Sequence, residues 1–335
     1  MLADKIQSYE NNKTFGKQTP AMYKEAYPYL KEVDSLALAN VQLHLQQAIK
    51  NCLQSKHCKF PVFKSKKKSH NSYTTNNQKG TIQVMDQAIK LPKVGQIKAK
   101  IHRRANEKWK LKSATVVQQK DDTYYISILY EYNEEKAETE KNKMYQAIGL
   151  DYKSDGLYID SNGNIGSNHK YYRESHKKLA KEQRRLSRKK VSSNNYEKQK
   201  LKIAKIYRHI SNQRKDQLHK QSYEIANRYD VVCVEDLDMK ALSNKGFRNG
   251  KATLDNGYGM FLRMLEYKLK ERNKYLIKID KWYASSQICC QCGKIHKMKL
   301  SERVYKCSCG NECDRDLNAA KNILKEGLRI FSEVI

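Results

Sequence analysis

Four apolar residues in a row, Val231, Val232, Cys233 and Val234, followed at once by Glu235 and Asp236, constrain the fold more than any other stretch. A strand with one wet face alternates apolar and polar side chains, so an unbroken run of strand length has to be covered on both faces. Helices must then lie on either side, and the neighbouring sequence supplies them. Residues 146–151 read as another hydrophobic strand ending in an acid, and 157–160 as a second strand with a hairpin turn at Asn162-Gly163. A helix around 259–273 precedes a strand at 275–280, and an Ala- and Leu-rich helix covers 316–328. This alternation puts the C-terminal part in the α/β class.

The N-terminal part follows other periods. Residues 1–53 read helical, with Asp34 and Ser35 as candidate N-caps ahead of Leu36, Leu38, Val41, Leu45 and Ile49. Pro61 and a basic loop at 63–68 follow. Beyond them come short apolar sets: Ile82/Val84, Ile89/Leu91, Ile97/Ala99/Ile101, Thr115/Val117 and the run 124–130, with turns at Pro92, Gly95 and Asp121-Asp122. Short strands at this spacing predict a small barrel or sandwich. Residues 133–143 carry no apolar period and read as a linker.

Charge narrows the partner. Lysine and arginine number 66 against 36 acids, a net charge of +30 over 335 residues. That excess calls for a polyanion. It is concentrated between 170 and 220, where 18 basic residues face four acids. Two helical stretches there, 173–190 and 196–228, are separated by Ser192-Ser193-Asn194, with narrow apolar seams at Leu179/Leu186 and Ile203/Ile206/Ile210. Arg184, Arg185, Arg188, Lys189 and Lys190, with Lys66 and Lys67 of the basic loop, are the candidate nucleic-acid contacts. The plainer alternative is a solvated helix face. No apolar run approaches the ~18 residues of a membrane span, and the first ten residues are too polar for a signal peptide, so no membrane partner is expected.

Two clusters carry chemistry. Asp151 and Glu235 close hydrophobic strands and Asp316 opens the last helix. Strand ends and helix starts are where ligand groups converge in α/β sheets. Three carboxylates gathered there would repel one another without a cation, and hard oxygen ligands suit Mg²⁺ or Mn²⁺. A pair of such ions ~3.5–4 Å apart would serve phosphodiester hydrolysis. Taken singly, each acid could equally be an ordinary strand end or cap. The second cluster is cysteine: Cys289-x-x-Cys292 and Cys307-x-Cys309, each pair followed by glycine, match a four-thiolate zinc site. Cys290 complicates the choice and Cys313 is a reserve ligand. Cys52, Cys58 and Cys233 are read as carrying no chemistry. Nine cysteines grouped in this way fit a reducing, cytoplasmic setting, at the nucleoid if the polyanion is DNA.

These residues resemble one family in order. Ile148-Gly149-Leu150-Asp151, Val234-Glu235-Asp236-Leu237, Ser285-Ser286-Gln287-Ile288-Cys289 with Cys292-Gly293, and Asp314-Arg315-Asp316-Leu317-Asn318-Ala319-Ala320-Lys321-Asn322-Ile323 are similar to the TnpB (OrfB) proteins of insertion sequences, relatives of type V CRISPR nucleases. Phe60-Pro61-x-Phe63-Lys64-Ser65-Lys66-Lys67 and Phe261-x-x-x-Leu265-x-Tyr267-Lys268 also resemble that family. The resemblance implies a helical recognition region (1–68), a β-barrel wedge region (69–132), the linker (133–143), and a RuvC-like, RNase H fold nuclease domain with the basic helical hairpin (144–284). A zinc ribbon (285–313) and the last RuvC-like helix (314–335) would follow. In the family a stretch with the first wedge strand precedes the position of Met1, so an N-terminal truncation is expected, leaving the barrel one strand short.

The implied activity is RNA-guided cleavage of double-stranded DNA, with a guide RNA drawn from the element's own end. Asp151, Glu235 and Asp316 match the catalytic acids, and Asp314 of the same motif is the alternative third acid. Two other functions stay open on sequence alone: a non-catalytic remnant that binds RNA or DNA, and a transposase that joins strands with the same metal chemistry.

Overall fold

The computed structural model describes residues 1–55, 58–63, 71–133, 144–242, 256–299 and 302–334. The expected linker falls almost wholly outside the described residues. The chain forms two compact units, Met1–Lys136 and Ala137–Ile335.

In the first unit, α1 (Leu2–Asn12) and α2 (Ser35–Gln54) are joined by two 3₁₀ turns. Asp34 caps α2, its carboxylate accepting from the amides of Leu36 at 3.3 Å and Ala37 at 3.2 Å, as the sequence predicts. Six strands follow: β1 (Asn71–Asn76), β2 (Gln83–Val84), β3 (Ala88–Leu91), β4 (Gly95–Lys98), β5 (Lys110–Gln118) and β6 (Tyr124–Glu131). They form two antiparallel three-stranded sheets, β1-β5-β6 and β2-β3-β4. Ile82, Ile89 and Leu91 of one sheet region and Ala114 of the other share a single core. Of the expected barrel or sandwich the structure shows two three-stranded sheets over one core; among the described residues no ladder joins them. Residues 99–109 between them hold no strand, so the expected strand through Ile101 stops at Lys98.

β1 is a strand that the apolar pattern does not announce. Its sequence is polar, and it is held by pairing along β5, including a Thr74–Thr115 hydroxyl contact of 2.8 Å. Asn40 on α2 adds a 2.9 Å bond to the carbonyl of Thr74.

The second unit is built on a four-stranded sheet, β10-β9-β7-β8. Its strands are β7 (Ala147–Tyr152), β8 (Tyr158–Asp160), β9 (Val231–Glu235) and β10 (Tyr275–Ile279). β9 runs parallel to both β7 and β10, while β8 is antiparallel to β7. The helices are α3 (Tyr171–Ser187), α4 (Asn194–Arg228), a short α5 (Met239–Leu242), α6 (Tyr258–Lys270) and α7 (Arg315–Val334). β9 is covered on both faces, as its sequence requires. Val232 and Val234 pack with Leu218 and Ile225 of α4 and Phe261 and Leu265 of α6. Val231 and Cys233 pack with Ile323 and Phe331 of α7.

The seat of α7 on the sheet is tight. A Cβ on Gly149 would meet the Ala320 carbonyl oxygen at 2.3 Å, and one on Gly327 would meet the Cys233 sulfur at 2.3 Å. Both positions must lack a side chain for the helix to lie this close. That contact fixes Asp316, at the start of α7, relative to β7.

The basic hairpin forms as expected. α3 and α4 pack together through Leu179, Ile203 and Ile210, all buried, and Ser193 caps α4 through the amide of Tyr196 at 3.2 Å. The last strand pair is β11 (Val304–Lys306) with β12 (Glu312–Asp314).

Candidate active site and thiolate cluster

The parallel register pairs Leu150 of β7 with Val234 of β9, so Asp151 and Glu235 leave neighbouring strands at the same sheet edge. α7, seated on Gly149, delivers Asp316 to that edge. The electrostatics follow from this placement. Burial first, then the charges of Glu235 and Asp316, hold the Asp151 carboxyl well above the usual carboxylate range. Burial also raises Glu235, opposed by the hydroxyl of Ser285, which donates to Oε1 at 2.5 Å. Lys153, two residues beyond Asp151, places Nζ 2.6 Å from Asp316 Oδ2 with both side chains less than a fifth exposed.

Asp314 and Asp316 divide their work. The Asp314 carboxylate accepts from the amides of Asp316 at 2.8 Å and Leu317 at 3.1 Å, which makes it the N-cap of α7. Asp316 does not cap: its carboxylate meets Lys153 on one oxygen and Arg315 Nε at 3.8 Å on the other, and its charge acts on Asp151. Among the described residues the four thiols described next form the group whose ligand atoms lie close enough together for one ion; the three carboxylates are not drawn that close. Hard oxygens at one half-buried strand end, two of them raising the proton affinity of the Asp151 carboxyl, are nevertheless a donor set that a divalent Mg²⁺ or Mn²⁺ would relieve.

The sulfurs of Cys289, Cys292, Cys307 and Cys309 lie within 4.8 Å of one another. Cys289–Cys309 and Cys292–Cys307 are 3.7 and 3.6 Å apart. Four thiolates ~2.3 Å from one tetrahedral ion sit about 3.8 Å apart, so the cage has the size of a zinc site. Gly293 and Gly310 adopt φ of 75° and 89°, left-handed turns whose amides donate to the carbonyls of Cys289 at 2.9 Å and Cys307 at 3.0 Å. Burial opposes ionisation of Cys289, but the amides of Cys292 and Gln291 and the neighbouring thiols outweigh it and bring the thiol down to about 6. Cys290 and Cys313 stand outside the group of four; both are approached by Asn311, whose Nδ2 also lies 3.4 Å from the Cys289 sulfur.

On α3 and beyond, Arg184, Arg185, Arg188 and Lys190 are exposed and Lys189 is half-buried. Arg185 pairs with Glu182 at 2.7 Å, and Lys189 reaches the Asn195 carbonyl at 3.2 Å. Lys66 and Lys67 lie outside the described residues. No described helix is long and apolar enough to cross a membrane. Sequence reasoning missed Lys153, and it found Ser285, Asn318 and Asn322 only as letters of a motif. The available signal was the pair of asparagines one helical turn apart in the first half of the last helix.

Two family descriptions match this chain: OrfB_IS605, "Probable transposase", over residues 127–245, and the "Cas12f1-like, TNB domain" over residues 258–323. Two relatives carry the name "Putative RNA-guided DNA endonuclease". One, from Streptomyces pristinaespiralis, is 32% identical over 312 residues, 91% of this chain and 74% of its own length. This chain belongs to the TnpB family. The second relative, InsQ of Escherichia coli (strain K12), is 30% identical over 320 residues, covering 91% of this chain and 77% of its own. Mimivirus TnpB-like protein L79 is 32% identical over 133 residues, 38% of this chain and 25% of its own. Among solved structures, a Cas12f1–sgRNA–target DNA complex superposes with a TM-score of 0.53 at 15% identity, over 96% of this chain and 78% of that one. That likeness concerns the fold alone.

Proposed function

We propose that this TnpB-family chain is an RNA-guided endonuclease that hydrolyses double-stranded DNA. Its catalytic domain is then RuvC-like, of the RNase H fold, with the four-cysteine segment as a structural zinc ribbon between the second and third acids. The observation that carries the reading is placement: the parallel register sets Asp151 and Glu235 on adjacent strand ends and α7 seats against Gly149, so that Glu235 and Asp316, 84 and 165 positions away in sequence, both act on the Asp151 carboxyl. In a chain of net charge +30, acids meeting at one strand end suit a cation held beside phosphate.

In this reading Asp151, Glu235 and Asp316 hold Mg²⁺ or Mn²⁺. The bound ion supplies Lewis-acid charge at the scissile phosphate. Glu235 is kept in one orientation by Ser285. Lys153 balances Asp316 and adds a positive charge at the rim. Asp314 keeps α7 capped. The exposed basic side chains of α3 track phosphates, which positions a duplex without reading its sequence, and base pairing with the guide supplies specificity. The protein would act on the nucleoid.

The test is programmed cleavage. RNA that co-purifies with the protein is sequenced, and plasmids with and without a matching site are incubated with Mg²⁺. The reading expects a double-strand break only in the matched plasmid, and none in EDTA. Cleavage indifferent to the RNA, or joined rather than cut products, would refute it.

A further inference from the structure

The loop between β10 and the first cysteine pair is tied to α7 by two fully buried asparagines. Asn322 Nδ2 donates to the carbonyls of Ser285 at 2.8 Å and Ile288 at 2.6 Å. Asn318 Nδ2 donates to Ile288 at 2.7 Å, and its Oδ1 accepts from the amide of Cys290 at 3.0 Å. The two side chains are 1% and 0% exposed, so these bonds are made away from water, where an unmade one would be costly. Four residues apart, they stand on one face of the helix that also carries Asp316.

What this clamp holds is a hydroxyl. Ser285 is 6% exposed, and its Oγ lies 2.5 Å from Glu235 Oε1. A bond this short to a carboxylate is of the strong, charge-assisted kind. Its backbone is fixed as well, with the amide donating to the Tyr283 carbonyl at 2.8 Å. A glutamate has three side-chain torsions, and one buried hydroxyl on one oxygen removes most of that freedom while leaving the second oxygen available. α7 thus bears on two acids: it carries Asp316 directly and reaches Glu235 through Asn322 and Ser285.

We propose that Ser285 is a positioning residue for Glu235, set in place by Asn318 and Asn322, and that this chain of contacts presets the divalent-ion site. The inference rests on the endonuclease reading above for the use of that site. It assigns to Ser285 no contact with substrate.

The test uses the full chain with its co-purified RNA and compares Ser285→Ala with Ser285→Thr. Mn²⁺ binding is measured by electron paramagnetic resonance, alongside zinc content, melting temperature and single-turnover cleavage across Mn²⁺ concentrations. Removing an outer hydrogen bond to a metal ligand lowers affinity by ~10–100-fold. Ser285→Ala is expected at the lower end of that range, with zinc content unchanged and cleavage partly recovered at high Mn²⁺. Ser285→Thr, which keeps the hydroxyl, is expected to restore the wild-type affinity. Wild-type Mn²⁺ affinity in Ser285→Ala overturns the proposal. Equal weakening in both variants with a lowered melting temperature also overturns it, because Ser285 would then be a packing residue. Weaker Mn²⁺ binding in Ser285→Ala alone, in a protein that cuts no matched DNA, upholds the positioning role and refutes only the endonuclease reading.

Discussion

Gly149→Ala tests how the acid site is assembled. A Cβ at this position would stand 2.3 Å from the Ala320 carbonyl oxygen and 2.7 Å from the Leu324 amide nitrogen. Both are helix backbone and cannot rotate away. Ordinary contact begins at 3.4 Å, so α7 must lift from the sheet by about 1 Å. Overpacking of this kind costs ~1–3 kcal/mol, and for a unit of this size each kcal/mol lowers the melting temperature by ~2–4 °C. A fall of roughly 2–12 °C is expected by calorimetry. Asp316 rides on the displaced end of α7, and a 1 Å error in a reacting group costs on the order of 10²-fold in rate. Single-turnover cleavage should therefore fall far more than DNA affinity. Gly95→Ala is the control: its φ of 81° makes alanine strained, but nothing lies within 4 Å of the new methyl. It should lower stability and leave the cleavage rate intact. A Gly149→Ala protein with wild-type melting and rate would refute the seating of α7 described here.

Other expectations follow from single interactions. Asp314→Ala removes the cap of α7 and should cost ~1 kcal/mol while cleavage persists; Asp316→Ala should abolish cleavage with nucleic-acid binding retained, and the reverse pattern would make Asp314 the functional acid. Elemental analysis should find one zinc per chain, reduced in Cys307→Ser and unchanged in Cys313→Ser. Replacing Arg184, Arg185 and Arg188 by Gln should weaken binding to unrelated sequences about equally. It should also flatten the log–log salt dependence by roughly 0.7–0.9 for each phosphate that is no longer neutralised; an unchanged slope would make this run a solvated face.

What could be read from the sequence was whatever local pattern dictates. The apolar run of β9 forces burial on two faces whatever the partners are. Asp34 caps α2 through amides two and three residues away. The cysteine pairs carry their geometry in their spacing. The rest depends on partners distant in sequence. β1 is polar and exists because β5 pairs with it. The two sheets of the first unit differ from a barrel only in which edges meet, and a periodicity of two says nothing about that. Asp314 and Asp316 are chemically identical, and only the helix start separates a cap from a site acid. Lys153 and Ser285 find their carboxylate partners 163 and 50 residues away.

The most direct measurement is an anomalous difference map from crystals of the chain grown with Mn²⁺. The account predicts a peak at the C-terminal edge of the sheet, within ~2.0–2.4 Å of carboxylate oxygens of Asp151, Glu235 and Asp316. Lys153 would be drawn away from Asp316, and Asp314 would still cap α7. A peak held by Asp314, or none at this edge while Lys153 stays on Asp316, would contradict it.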